Sequence, residues 1–131
     1  FFVDTNIFLR FFLNDIPKQA LLAKKYFKRA KESKIKLVVL PIIVFEIVFG
    51  LQSVYKFKKA KIIKCVKVIL SMSYLGVQER EIFLETLEIF EKINIDFVDA
   101  FLFCQARKGK GRILSFDKDF KKLKKYGNVV R

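Results

Sequence analysis

The stretch from Leu37 to Tyr55 reads LVVLPIIVFEIVFGLQSVY, and it decides the fold. Its aliphatic start favours a buried strand. Pro41 then suits the first turn of a helix, because proline has no amide hydrogen and the amide at that position would lack a helical partner. Apolar residues continue nearly all round this helix to about Ser53, so we expect the helix to be central and buried. A strand that leads directly into a buried helix predicts an α/β protein.

The same stretch must also be tested as a membrane span, because nineteen apolar residues can cross a bilayer. Glu46 is its only charged residue, and Pro41, Gly50 and Gln52 interrupt it. A carboxylate at mid-span costs about 3 kcal/mol on insertion scales. We therefore expect no association with a membrane.

The rest of the chain continues this alternation. Apolar runs predict strands at 1–3, 35–40, 112–116 and 128–130, and helical patterns predict helices at 7–13, 17–33, 41–53, 57–72, 78–92, 96–107 and 117–125. Between them, 107–112 is a basic turn whose glycines can adopt positive φ. No linker or repeat divides the sequence, so we expect one domain over residues 1–131 with a mainly parallel sheet.

Composition points to an anionic partner in a reducing compartment. The chain has 27 Lys and Arg, 13 Asp and Glu and no His, for a net charge of +14. Such a surface attracts polyanions, and the excess of lysine over arginine favours diffuse phosphate contacts over base reading. Cys65 and Cys104 lack the spacing of a zinc site or a disulfide framework. With no signal peptide visible either, we expect buried thiols and a cytoplasmic protein.

Four carboxylates lie in apolar runs, where a charge is hardest to accommodate. They are Asp4, Glu46, Asp99 and Asp117. Asp4 and Asp117 each follow a predicted strand, and open α/β sheets bind ligands beyond the carboxyl ends of their strands. Glu46 lies in the helix after the second strand, and Asp96 and Asp99 begin the helix before the next one. Four remote segments can thus deliver oxygen atoms to one point.

Most of these acids also have a purely structural explanation. Roles as helix caps or turn residues are open to Asp4, to Asp96 with Asp99, and to Asp117 with Asp119. Glu46 is harder to explain, because the residues one turn away from it are apolar or glycine. An unpaired carboxylate in such surroundings would have a raised pKa and would need a partner from another segment. A metal ion that bridges Glu46 to Asp4 and Asp99 explains several placements at once.

The absence of histidine restricts the chemistry. Neither histidine-driven attack by a ribose 2′-hydroxyl nor a catalytic triad is available. A divalent ion can instead lower the pKa of water, orient it in line with phosphorus and stabilise the departing oxygen. Oxygen ligands suit Mg²⁺ or Mn²⁺. We therefore expect a metal-dependent nuclease with Asp4, Glu46 and Asp99 as ligands and Asp117 as a ligand to a second ion or through water. Whether one ion or two bind stays open.

Four motifs resemble, in order and spacing, those of the PIN-domain ribonucleases, particularly the VapC-type toxins of bacterial and archaeal toxin–antitoxin pairs. They are Val3-Asp4-Thr5-Asn6, Val44-Phe45-Glu46-Ile47, Asp96-Phe97-Val98-Asp99-Ala100 and Ser115-Phe116-Asp117-Lys118-Asp119-Phe120. The resemblance implies a three-layer α/β/α fold with a central, mainly parallel sheet of four to five short strands. It also implies endonucleolytic cleavage of RNA with Mg²⁺ or Mn²⁺ bound by acids.

The resemblance further assigns roles to individual residues and implies partners. Asp4, Glu46 and Asp99 correspond to the core metal ligands and Asp117 to the fourth acid. The accessory positions are Thr5, Asn6 and Ser115 as polar supports, with Asp96 and Asp119 as further acids. Proteins of this type are usually homodimers, and an antitoxin protein silences them by inserting its tail into the acidic groove.

Two rival functions deserve comparison with a nuclease. A phosphatase of the haloacid dehalogenase kind also opens with a strand ending in Asp, but it needs a second Asp two positions later, where this chain has Asn6. The other rival is a non-catalytic basic RNA-binding module whose acids serve as caps. Such a module would bind RNA in a salt-sensitive way without any dependence on metal. The choice of RNA over DNA rests on the resemblance.

Overall fold

A small parallel sheet organises the first of the two units into which the chain divides, residues 1–79 and 80–131. The computed structural model describes residues 1–127. Strand β1 (Leu37–Val39) pairs in parallel with strand β2 (Leu75–Val77). Because parallel neighbours cannot be joined by a tight turn, the chain between these two strands crosses over through helices.

The predicted first strand is present as a pairing with β1. Phe2 forms a parallel bridge to Val38, the Val3 amide donates to the Val38 carbonyl at 2.9 Å, and the Val38 amide donates to the Phe1 carbonyl at 2.7 Å. The carboxyl ends of this segment and of β1 therefore meet at one edge of the sheet. Asp4 directly follows the first, and the helix that carries Glu46 follows the second after one residue.

Four helices accompany this sheet in the first unit. They are α1 (Thr5–Leu13), α2 (Pro17–Lys31), α3 (Pro41–Ser53) and α4 (Lys59–Ser71). Helix α1 packs against α2 and α3, and α3 packs against α4. The apolar core includes Phe8, Phe27, Val39, Ile47, Leu51 and Ile69, all almost fully buried. Proline stands at the first position of both α2 and α3, as the sequence predicts. The bounds of α3 match the prediction residue for residue.

Helix α3 is not buried all round, and this corrects the sequence expectation. Val44, Ile47, Val48 and Leu51 are buried, but Ile42, Glu46 and Phe49 are exposed. These last three residues are spaced four and three positions apart, so they share one face of the helix. Glu46 thus lies on the outer face of an otherwise apolar helix. Within the described residues no helix is both long and apolar enough to cross a membrane.

The second unit is helical in the part that the structure describes. Helix α5 (Arg80–Lys92) packs against α6 (Phe97–Lys108), and α6 contacts a 3₁₀ helix (Lys118–Tyr126). Its core is aromatic: the Phe97 ring lies 6.1 Å from that of Phe83 and 5.4 Å from that of Phe90, and the Phe101 ring lies 4.8 Å from Phe83.

Several predicted elements differ from those observed. Over residues 1–127 the sheet has two strands and the Phe2 bridge, so the three-layer sheet of four to five strands remains an expectation. The predicted strand at 112–116 contains a bridge residue at Ile113 alone, and the one at 128–130 lies outside the described residues. Strand β2 was not predicted. In the basic turn, positive φ belongs to Lys110 (54°), whereas Gly109 has φ −80°.

Candidate active site

Asp4 and Glu46 are connected through a single threonine. Asp4 is the N-cap of α1, and its Oδ1 accepts a hydrogen bond from the Thr5 amide at 2.8 Å. The Thr5 hydroxyl donates to Glu46 Oε2 at 2.6 Å. Because Thr5 is buried, one firmly packed residue positions both carboxylates.

These hydrogen bonds leave capacity for a further ligand. A carboxylate has about four acceptor sites, and one is occupied by Thr5 in each of Asp4 and Glu46. Both acids are exposed. The structural explanation of Asp4 as a cap is confirmed, and it does not exclude metal binding. Glu46 receives its partner from another segment as expected, but that partner is a hydroxyl and not a cation.

Asp99 lies in the first turn of α6, in the second unit, and is partly buried. Burial raises the pKa of its carboxyl, and the neighbouring carboxylates of Asp96, Asp117 and Asp119 raise that pKa further. Folding therefore brings three acids from two segments close enough to Asp99 to oppose its ionisation. Asp96 is the N-cap residue of α6, but its side chain makes no capping hydrogen bond, so the structure does not support the explanation of Asp96 as a side-chain cap.

Asp117 and its neighbours form a compact turn before the 3₁₀ helix. The Asp117 amide donates to Ser115 Oγ at 2.9 Å, and the Asp119 amide donates to Asp117 Oδ1 at 2.9 Å. Asp117 therefore caps the 3₁₀ helix, as its structural explanation predicts. Ser115 holds the backbone of Asp117, whereas the resemblance implies that it orients the acids themselves.

Among residues 1–127, most of the candidate acids lack basic partners, although the chain carries about twice as many bases as acids. Within its own unit and among residues 1–127, no Lys or Arg forms an ion pair with Asp4, Glu46, Asp96, Asp99 or Asp117. Asp119 differs, since Lys122 Nζ lies 2.9 Å from its Oδ1. Exposed acids such as Glu81 also lack such a partner, so crowding around Asp99 is the feature that distinguishes the group.

The donor set suits a hard divalent cation. Carboxylate and hydroxyl oxygens are what Mg²⁺ and Mn²⁺ prefer, and a cation would relieve the repulsion that raises the pKa of Asp99. Across residues 1–127, however, no three Asp, Glu or Cys side chains are close enough together to hold a metal as they stand. Asp4 and Glu46 belong to the first unit, and Asp99 and Asp117 belong to the second.

Other predicted residues play smaller parts, and one contact was missed. Asn6 is exposed, and its side chain has no hydrogen-bond partner among residues 1–127. Arg107, predicted to end a helix and begin the basic turn, belongs to α6 and donates to the Tyr126 carbonyl at 3.0 Å and to Glu85 at 3.2 Å. It thereby ties α6 to α5 and to the end of the 3₁₀ helix. In the sequence, the glutamates of α5 were the feature that indicated a basic partner for this helix.

Comparison with known proteins identifies the family of the chain. The family model of the PIN domain matches residues 1–126, and the chain belongs to that family, which confirms the resemblance and the α/β class. The chain is similar to the VapC ribonuclease of Aquifex aeolicus (strain VF5), with 26% identity over 122 residues that cover 92% of this chain and 90% of the relative. No solved structure matches it.

Proposed function

We propose that this protein is a metal-dependent endoribonuclease that cleaves RNA phosphodiester bonds, with Mg²⁺ or Mn²⁺ held by Asp4, Glu46, Asp99 and Asp117. The observation that carries the proposal is the crowding of acids around Asp99, a carboxyl whose pKa is raised by burial and then by these neighbouring carboxylates. A carboxylate whose ionisation is opposed in this way is stabilised when a cation binds beside it. Membership of the PIN domain family and the similarity to a VapC ribonuclease support RNA cleavage.

Residues of the chain prepare the site before any ligand arrives. Thr5 fixes Asp4 and Glu46 through its amide and its hydroxyl, and Ser115 fixes the backbone of Asp117. Carboxylates held in place by such neighbours lose little freedom on binding an ion. Asp96 and Asp119 act as accessory acids, because their charges add to the negative potential at Asp99.

The bound ion and the lysines have different roles in the proposed reaction. When bound, a divalent ion supplies activation of water and stabilisation of the charge on the departing oxygen. The lysines attract the phosphates of the RNA and hold its backbone against the protein. Because the chain has no histidine, the carboxylates are left to position the attacking water.

The finer features that the family implies are part of the same proposal. Residues 1–131 form a single nuclease domain of the three-layer α/β/α type, with a mainly parallel sheet of four to five strands. The protein is the toxin of a toxin–antitoxin pair, acts in the cytoplasm as a homodimer and is silenced by an antitoxin protein. The VapC ribonuclease relative supports this. Co-expression with a small neighbouring open reading frame, followed by measurement of the mass of the purified complex, tests it.

A non-catalytic RNA-binding module is the second candidate function. Its support is that no three acids among residues 1–127 are close enough together to hold a metal ion. Asp4 and Asp117 also have structural roles as caps, with their side chains accepting backbone hydrogen bonds. In that case the net charge of +14 alone would account for RNA affinity.

End-mapping of structured RNAs incubated with and without Mn²⁺ separates the two functions. We expect cleavage with Mn²⁺ or Mg²⁺ and none with a chelator. Asp4→Asn and Glu46→Gln should abolish cleavage while the circular dichroism spectrum is retained. Glu81→Gln, which removes an exposed acid of α5 outside both groups, is the matched control and should cleave normally. RNA that is bound in a salt-sensitive way but never cut would establish the binding module.

A further inference from the structure

A groove in the first unit combines lysines with aromatic rings. It has a volume of about 680 Å³ and lies between the end of α1, one side of α2 and the segment that joins α4 to β2. Its lining includes Lys24, Lys28 and Lys31 from α2, Phe11 from α1, and Met72 and Tyr74 from the joining segment.

The lysines of the groove make its surface positive. Lys24, Lys28 and Lys31 are spaced four and three positions apart, so they share one face of α2. All three are exposed, and within the described part of the chain none forms an ion pair. Helix α2 contains no acid. The acid at the groove, Glu32, lies 2.8 Å from Lys34 and is already paired.

The aromatic side of the groove is held by packing. The Phe11 ring lies 5.3 Å from the ring of Phe12 and 5.1 Å from that of Phe27, in edge-to-face contacts. Phe11 and Tyr74 are both half-buried, so part of each ring is accessible. Accessible rings among cationic side chains are how many proteins bind single-stranded nucleic acid, since bases stack on the rings and phosphates contact the cations.

We propose that this groove is a second binding site for single-stranded RNA, in which the three lysines contact phosphates and Phe11 and Tyr74 stack on bases. The identity of the ligand as RNA rests on the proposed function. Phe11 lies seven residues after Asp4, which is about 10 Å along α1 at 1.5 Å per residue. An RNA strand that passes Asp4 therefore reaches the groove within a few nucleotides. The groove adds affinity and takes no part in bond cleavage.

A matched pair of double variants tests the lysines. Lys24→Gln with Lys28→Gln removes two charges inside the groove, and Lys18→Gln with Lys25→Gln removes two exposed charges of α2 outside its lining. The measurement is fluorescence anisotropy of a labelled single-stranded RNA across a range of salt concentrations. Each lysine on a phosphate contributes about 0.7 to the salt slope, so the groove variant should lose about 1.4 and bind about 25-fold more weakly in 0.1 M salt. Equal losses in both variants, or no loss in either, would overturn the proposal.

The aromatic contribution needs a separate variant and a charge-only ligand. Tyr74→Leu should weaken RNA binding at least about fivefold, because one stacked base is lost. The same variant should bind a polyglutamate peptide as well as the unaltered protein does. If binding of RNA is unaffected, or binding of both ligands falls equally, the groove does not recognise bases and the proposal fails.

Kinetics separates this proposal from the proposed function. With Mn²⁺ present, the Lys24 and Lys28 double variant should show a raised KM for a long RNA and an unchanged kcat. A lowered kcat with unchanged KM would place these lysines in catalysis and contradict a binding role. If the unaltered protein cleaves nothing, the nuclease proposal fails, while the anisotropy measurements still decide whether the groove binds RNA.

Discussion

The Thr5 hydroxyl donates a hydrogen bond of 2.6 Å to the Glu46 carboxylate, although 41 positions separate the two residues in sequence. The amide of the same threonine donates to Asp4. Thr5 is 9% exposed, so packing fixes the orientation of its hydroxyl-bearing side chain. A residue of this kind orients two carboxylates before a ligand binds, and such supports determine the affinity of metal sites nearly as strongly as the ligands themselves.

Replacement of Thr5 by valine tests this role. Thr5→Val keeps the shape of the side chain but removes the donor to Glu46, so we expect Mn²⁺ affinity and RNA cleavage to fall about 10- to 100-fold. The lost hydrogen bond should cost about 1 kcal/mol of stability. Thr5→Ser retains the hydroxyl and should recover most of the activity. A valine variant that binds Mn²⁺ as tightly as the unaltered protein would remove Thr5 from the site.

The raised pKa of Asp99 leads to a prediction for stability without metal. The folded protein holds the Asp99 proton more tightly than the unfolded chain does, because burial and three nearby carboxylates raise the pKa of this carboxyl. The stability that the protonated Asp99 carboxyl contributes is therefore fully present at pH values below the ordinary carboxyl pKa. It is lost as the pH rises through the raised pKa of the folded protein. In a chelator, Asp99→Asn should melt at a higher temperature than the unaltered protein at pH 7, and the advantage should disappear near about pH 3.

Addition of Mn²⁺ should reverse that order. The unaltered protein should be stabilised by about 2.7 kcal/mol when free Mn²⁺ is 100 times its Kd, whereas Asp99→Asn should gain far less. Glu81→Gln controls for the loss of one negative charge from a basic protein. An Asp99 variant that is less stable than the unaltered protein in chelator at pH 7 would contradict the proposed repulsion.

Arg107 is predicted to stabilise the second unit. Its guanidinium joins the Tyr126 carbonyl to Glu85 and lies over the Phe103 ring at 5.4 Å. Arg107→Lys keeps the charge but loses the planar guanidinium that donates to two partners. We therefore expect the free energy of unfolding, measured in urea, to fall by about 1 to 2 kcal/mol. Lys108→Gln, at an exposed neighbouring position, is the control. Equal stability of the Arg107 variant and the control would show that these contacts contribute nothing.

The two cysteines are predicted to be unreactive in the folded protein. Cys65 and Cys104 are buried, and burial raises the pKa of both thiols. Because the thiolate is the reactive form, a chromogenic disulfide reagent should label neither residue at neutral pH. Both should react once guanidinium unfolds the chain. Fast labelling of either thiol without denaturant would show that its surroundings open readily.

Parts of the fold were predictable because local chemistry determines them. The bounds of α3 follow from Pro41, which fixes the start, and from the apolar run that ends at Ser53. Strand β2 was missed because Leu75-Gly76-Val77 is short and has glycine at its centre. Its conformation depends on pairing with β1, a remote partner. The pairing also explains why residue 76 is glycine. A Cβ at Gly76 would stand 3.1 Å from the Leu37 carbonyl oxygen of the neighbouring strand.

The sequence indicated candidate acids by their residue type, but it did not indicate the surroundings in which the fold places them. Sequence alone indicated Asp4, Glu46 and Asp99, but it placed Glu46 in a buried helix, because a helix with few polar residues does not reveal which face is exposed. The surroundings of Asp99 could not be read from sequence either. Asp117 and Asp119 reach Asp99 because the 3₁₀ helix packs against α6, and that packing depends on core residues such as Leu123.

The central proposal is that Asp4, Glu46, Asp99 and Asp117 bind a divalent ion, and anomalous diffraction from crystals grown with Mn²⁺ tests it most directly. We predict an anomalous peak within coordination distance, about 2.2 Å, of carboxylate oxygens from both Asp4 and Asp99. Thr5 should still contact Glu46 in that crystal. No peak near either residue, or a peak that only one of the two residues contacts, would contradict the proposal.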